Sequence, residues 1–308
     1  MDNLVRYEGC LIGLAAGDAV GTTLEFKTAG SFKPIQDMVG GGPFQLEPGQ
    51  WTDDTSMAMC LAESLVECRG FNAKDQMNRY VKYYRNGYWS AKDYCFDIGN
   101  TVSQALQCFE RTGDPYAGST DPKSAGNGSI MRLAPIPMFY LKDPVHAIDY
   151  AAKSSRTTHG TEEAVDACIY LSKLIINALN GMPKNGLLAD HSREIESQIQ
   201  RTLSPAIKKV SQGSFKELQP PAIQGSGYVV KSLEAALWAF HSTETYKEGL
   251  LKAVNLGDDA DTTGAVYGQL AGAYYGLSGI PESWVEKIHR RSEIEQLADA
   301  LYQLSQNE

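Results

Sequence analysis

No stretch of this chain holds the ~18 or more uninterrupted apolar residues that a membrane-spanning helix requires, so no span is expected. The first twenty residues, MDNLVRYEGCLIGLAAGDAV, lack a basic start followed by a long apolar run. Arg6, Glu8 and Asp18 interrupt them, and no signal peptide is expected. The six cysteines, at 10, 60, 68, 95, 108 and 168, form no C-x-x-C pair. Their setting in apolar helical patterns suits reduced core residues of a cytoplasmic protein, not a disulfide framework or a zinc site. The five histidines show no H-E-x-x-H or other paired spacing, which removes the usual zinc arrangements. Neither a G-x-S-x-G elbow nor a Walker lysine is present. Positive charge is also scarce: 28 Lys and Arg stand against 37 Asp and Glu, a formal net charge of −9. That balance argues against a nucleic-acid backbone or an anionic membrane as main partner and suits cation binding better.

What the sequence does have is helical periodicity. Apolar residues recur three and four apart at Leu4, Tyr7, Leu11 and Leu14, at Met57, Cys60, Leu61 and Leu65, and at Val102, Leu106 and Phe109. The same spacing returns at Ala164, Cys168, Leu171 and Ile175, at Val229, Leu233, Leu237 and Phe240, and at Ile294, Leu297, Leu301 and Leu304. Each stripe marks a helix with one buried face. Alternating β-branched runs are nearly absent. The expectation is an all-α fold of ten or more helices in a single domain over residues 1–308, and a monomer. Three Gly/Pro-rich breaks fall at 27–50, 113–129 and 181–225. Loops of that length inside a compact domain are usually functional, and the last of them reads as a variable segment.

Two clusters carry chemistry. Thr52, Asp53 and Asp54 lie in WTDDT, and Asp259, Asp261 and Thr262 lie in GDDADTTG. Each precedes an apolar or small-residue run and so opens a helix. Asp and Thr are favoured N-caps, so either cluster alone reads equally as capping or as metal ligands. Taken together, two such helix ends facing each other present four carboxylates and two hydroxyls. Those are hard oxygen ligands in the number that one or two Mg²⁺ or Mn²⁺ ions require. Without a cation, clustered carboxylates raise one another's pKa. The D-D-x-x-D pattern of isoprenoid synthases is not met, because Met57 stands where its last acid belongs.

A set of segments kept in order, GCLIGLAAGDAVGTTLEF, WTDDTSMA, FDIGNT, SAGNGSIMRLAPI, THG, GYVVKSLEAALWAF and GDDADTTGAVYGQLAGAYYG, resembles the ADP-ribosylglycohydrolases. The closest look is to the bacterial dinitrogenase reductase-activating branch. The resemblance runs from about residue 7 to 277, and no family motif falls in 181–222. It implies an all-α fold and a site for two divalent cations, Mg²⁺ or Mn²⁺, held by Thr52, Asp53, Asp54, Asp259, Asp261 and Thr262. It implies cleavage of the glycosidic bond joining ADP-ribose to a modified protein side chain, arginine first, with ADP-ribose as product. Serine-linked ADP-ribose, O-acetyl-ADP-ribose and a binding-only role are the alternatives.

By the same resemblance Asp97 matches a general base and Glu25 a glutamate near the metals. Gly126, Asn127, Gly128, Ser129, His159 and Tyr228 match substrate contacts. Read without the family, Asp97 is a helix N-cap and Glu25 a solvated residue before a loop. The GNGS run is then a turn, His159 a core or capping histidine, and Tyr228 helix packing.

Overall fold

A computed structural model describes residues 3–306. The first third of the chain forms α1 (Asn3–Gly21), α2 (Asp53–Cys68), α3 (Ala73–Asn86) and α4 (Asn100–Thr112). The middle forms α5 (Pro135–Phe139), α6 (Pro144–Thr158) and α7 (Glu162–Leu179). Within 181–225 lie the short α8 (Lys184–Leu187), α9 (Ser192–Ile199) and α10 (Pro205–Ser211). The last part holds α11 (Val229–His241), α12 (Tyr246–Val254), α13 (Ala260–Tyr275), α14 (Glu282–Val285) and α15 (Arg291–Ser305). Among the described residues, β-structure is limited to three isolated bridges. The fold is all-α, as the periodicity predicts, and every apolar stripe named above falls within a helix.

At the centre α1 and α13 run antiparallel in the tightest contact of the molecule. Both are buried around their whole circumference over most of their length. Their sequences explain the closeness. Glycines recur every fourth residue on each helix, at 9, 13 and 17 on α1 and at 264, 268 and 272 on α13. Four-residue spacing puts them on one face. A Cβ added at Gly13 would stand 2.4 Å from the Gly268 carbonyl oxygen, and one at Gly17 would stand 2.0 Å from that of Gly264. No L side chain fits, so the two backbones touch directly.

Other helices wrap this pair: α7, α11 and α12 pack on α13, and α15 packs on α1 and α2. The consequence for function is positional. The C-terminal end of α1 and the N-terminal end of α13 are locked side by side, and the N-terminus of α2 is drawn to the same place.

Candidate metal and substrate site

The two acidic clusters meet. The Thr52 hydroxyl lies 3.3 Å from Asp261 Oδ2, and the Thr262 hydroxyl lies 3.3 Å from Asp54 Oδ1. Each helix end thus brings a hydroxyl to a carboxylate of the other. Capping does not account for the clusters. Thr52 and Asp259 occupy the N-cap positions of α2 and α13, yet neither side chain caps its own helix. Asp259 instead accepts a hydrogen bond from Asn127 Nδ2 at 2.8 Å.

Asp18 on α1, fully buried, holds this junction together. Its Oδ1 accepts from the Thr52 backbone N–H and hydroxyl, both at 2.9 Å. Its Oδ2 accepts from the Thr55 N–H at 3.0 Å and the Thr55 hydroxyl at 2.6 Å. The two N–H donors sit at the N-cap and in the first turn of α2, so a carboxylate from a neighbouring helix takes the place of a local cap. Burial outweighs the four hydrogen bonds and pushes the Asp18 carboxyl up to about 6. The residue was open to discovery in the sequence, being the single charged residue between Cys10 and Leu24.

Glu25 and Asp97 join the same cluster. With Asp261 they bring carboxylate oxygens within 4.8 Å of one another, the arrangement of a metal-ion cage. Asp97 is not the cap of α4, whose N-cap is Gly99. It adopts a left-handed backbone, φ 51°, and lines the cavity. Glu25 is 3 % exposed, not solvated. One oxygen each of Glu25, Asp54, Asp97 and Asp261 is buried without a hydrogen-bond partner. An unpartnered buried carboxylate oxygen is costly, and four around one cavity form a donor set that fits a hard divalent cation.

The electrostatics agree. Burial raises Asp53, Asp54 and Asp261 well above the usual carboxylate range, and repulsion among the acids adds to it. Glu25 is pushed up to about 9 by burial and by Asp97 and Asp259. Asp97 is pushed up to about 7, chiefly by burial and then by Asp18.

The acids form one part of the wall of a cavity of about 690 Å³, and Gly126, Asn127, Gly128 and His159 form another. The loop 125–127 is pinned to the start of α11: the Asn127 N–H donates to the Gly227 carbonyl at 3.1 Å and the Val229 N–H to that of Ala125 at 3.0 Å. The buried His159 ring explains both glycines. A Cβ at Gly128 would come 2.9 Å from its Cε1, and one at Gly126 would come 3.2 Å from its Nε2. Burial, then the nearby Arg132, push the His159 pKa down to about 3, so the ring is neutral.

Arg132, fully buried, was not singled out in the sequence. Its guanidinium donates to the Gly128 carbonyl and, at 2.6 Å, to the Thr158 hydroxyl, which in turn lies 2.9 Å from His159 Nδ1. It thus ties the glycine loop to the histidine.

Two expected contacts lie elsewhere. Ser129 is buried with its hydroxyl on Ser155 at 3.0 Å and Cys168 at 3.4 Å, behind the cavity wall. A residue one step past Gly128 turns into the core because the chain there enters the packed 130–134 segment. Tyr228 lines a smaller annex of about 270 Å³ that shares Thr101, Gly126 and Gly227 with the main cavity. It is 38 % exposed, and its hydroxyl donates to Glu163 at 2.8 Å.

Comparison with known proteins adds to this geometry. The family described as ADP-ribosylglycohydrolase matches residues 1–308. The chain is 44 % identical over 299 residues to "ADP-ribosylarginine hydrolase Tri1" of Pseudomonas putida (strain GB-1), covering 97 % of this chain and 78 % of that protein. It is 32 % identical over 306 residues to "ADP-ribosyl-[dinitrogen reductase] glycohydrolase" of Rhodospirillum rubrum, covering 97 % and 96 %. The solved structure of an "ADP-ribosylglycohydrolase-related protein complex" superposes with TM-score 0.87 at 46 % identity, covering 99 % of each chain. The expected leaning towards the dinitrogenase reductase branch is therefore corrected: identity is higher to the Tri1 hydrolase.

Proposed function

This chain belongs to the ADP-ribosylglycohydrolase family, and from that premise we propose that it hydrolyses the bond between ADP-ribose and a modified arginine side chain. The observation that carries the reading is the set of four unpartnered, buried carboxylate oxygens lining one cavity. The arginine linkage rests on the name of the Tri1 relative. We assign two divalent cations, Mg²⁺ or Mn²⁺, to Thr52, Asp53, Asp54, Asp259, Asp261 and Thr262. When bound, they supply Lewis-acid charge that orients ribose hydroxyls and offsets the repulsion among the acids.

The chain's own residues then have separate tasks. Hydrolysis forms a bond from a water oxygen to the anomeric carbon and breaks the bond from that carbon to the guanidine nitrogen. Asp97 takes the proton of the attacking water and returns one to the departing guanidine, so the balance closes. Without a cation, burial and the neighbouring acids push Glu25 up further than Asp97. Asn127 orients Asp259, while the backbone of Gly126 and Gly128, open to close approach, and the neutral ring of His159 hold the sugar and phosphates. The acidic cage favours the positive charge that develops at the anomeric carbon.

The test mixes the protein with a peptide ADP-ribosylated on arginine, in Mg²⁺, in Mn²⁺ and in EDTA, and resolves products by mass spectrometry. Free ADP-ribose and unmodified peptide, lost in EDTA, are expected. Release of AMP would mark a phosphoesterase instead. Asp97→Asn is expected to lower kcat by roughly 100- to 10,000-fold, the contribution of a positioned base, while ADP-ribose affinity by calorimetry stays within a few-fold. Retained turnover would move the base to Glu25.

A further inference from the structure

One residue at the cavity wall carries a cost that the fold does not explain, and an exposed acid stands beside it. Phe26 is 70 % exposed, the most exposed of the large apolar side chains, and it lines the cavity directly after Glu25. Its φ is +60°, in the left-handed region that a bulky aromatic residue rarely adopts. Asp258, directly before Asp259, lines the same cavity, is also exposed and has φ +52°.

The two are held side by side. The Phe26 N–H donates to the Asp258 carbonyl at 2.7 Å, and the Asp258 N–H donates to the Lys27 carbonyl at 2.8 Å. Aspartate tolerates the left-handed region and glycine adopts it freely, yet at position 26 the chain carries a bulky ring. Backbone strain of this kind persists where function needs the side chain. The exposed ring stands at the cavity wall, where a ligand group leaving the cavity would meet it.

The chemistry of the pair identifies the ligand group. A ring face attracts a guanidinium plane and a carboxylate pairs with its charge; arginine is the side chain that uses both at once. Phe26 and Phe44 meet in a T-shaped pair with centroids 6.3 Å apart, and most of the Phe26 ring stays open to solvent. Phe44 packs in turn on Phe96, at 5.1 Å, the residue before Asp97. The aromatic rim therefore runs from Phe26, next to Glu25, to Phe96, next to Asp97.

We infer that Phe26 and Asp258 form the acceptor subsite, the ring stacking on the guanidinium of the ADP-ribosylated arginine and the carboxylate pairing with its charge. The inference rests on the arginine reading above and adds the residues that select that linkage.

The test compares wild type, Phe26→Leu and Asp258→Asn. Each is assayed on a peptide ADP-ribosylated on arginine and on one ADP-ribosylated on serine, and ADP-ribose affinity is measured by calorimetry. Phe26→Leu is expected to raise KM for the arginine peptide roughly tenfold and Asp258→Asn about fivefold, in line with a cation–π contact and an exposed ion pair. The kcat is expected to stay within about twofold, and ADP-ribose affinity, which also reports folding, to stay at the wild-type value. Any turnover of the serine peptide is expected to be unaffected by either substitution.

An unchanged KM in both variants, with wild type active on the arginine peptide, would overturn the subsite alone. An equal loss of ADP-ribose affinity would also overturn it and move Phe26 to the nucleotide. A wild type that leaves the arginine peptide intact would overturn both the subsite and the reading beneath it.

Discussion

Asp261→Asn is expected to reduce turnover of an ADP-ribosylated arginine peptide by roughly a thousand-fold or more, the equivalent of several kcal/mol of cation-derived charge stabilisation. The position is central to the cluster. Asp261 groups with Glu25 and Asp97, receives the Thr52 hydroxyl, and keeps its second oxygen unpartnered.

The same substitution is expected to act in the opposite direction on stability. Burial, with Glu25, Asp54 and the other acids around it, drives the Asp261 pKa well above the usual range. A carboxyl whose folded pKa is raised favours the fold when protonated. Its contribution is complete below the unfolded pKa of about 4 and is lost as pH rises towards the folded value. Asparagine carries no charge to lose. In EDTA at about pH 8 the variant should therefore melt above wild type, and near pH 4 the difference should vanish. Kinetics and melting curves on the same preparations check both halves. Wild-type turnover, or a variant less stable in EDTA at every pH, would contradict the assignment.

Gly17→Ala is expected to cost about 3 kcal/mol, the upper range for overpacking, because its Cβ would sit 2.0 Å from the Gly264 carbonyl oxygen. Backbone cannot rotate away as a side chain can, so α1 and α13 must separate. The melting point should fall by roughly 5–10 °C for a chain of this size. Gly9→Ala makes the comparison informative. Its Cβ would stand 2.5 Å from the Gly272 carbonyl oxygen, at the far end of the same helix pair. Both variants should be destabilised. Gly17, however, precedes Asp18, which holds the first turn of α2. Only Gly17→Ala should also weaken Mn²⁺ binding, by roughly tenfold or more, as the loss of a supporting contact does at metal sites. Equal Mn²⁺ affinity in the two variants would separate the glycine contact from the site.

The parts of this protein that a sequence displays are those written in local spacing. The helix carrying Met57, Cys60, Leu61 and Leu65 is legible because period 3.6 needs only neighbours along the chain. The two acidic clusters are legible because adjacent carboxylates are conspicuous, although their meeting, Thr52 to Asp261 and Thr262 to Asp54, is a tertiary fact. Asp97 and Glu25 became candidates through family resemblance, since each is a lone acid whose environment no local pattern announces.

Asp18 escaped because one acid in a run of small residues resembles an interruption. The facing glycines of α1 and α13 share a period of four, but their pairing joins segments some 250 residues apart. Phe26 and Asp258 escaped for another reason: left-handed backbone is expected at glycine and is not foreseen at phenylalanine. Ser129 misled because motif adjacency to Gly128 says nothing of which way the next side chain turns.

The buried acids at the meeting point of α1, α2 and α13 form a candidate site for divalent cations, and the cation dependence of the fold tests it. The most direct measurement is the melting point of the EDTA-treated wild type, alone and with saturating Mg²⁺ or Mn²⁺, at pH 5 and pH 8. Glu25 is pushed up to about 9 and Asp97 to about 7, so ionising them in the folded state is resisted across this window. Without cation the melting point should fall between about pH 5 and pH 8, and added cation should raise it at both, more at pH 8, by mass action on the folded state. A melting point that holds or rises with pH in EDTA, with no shift on adding either cation at pH 8, would contradict the account.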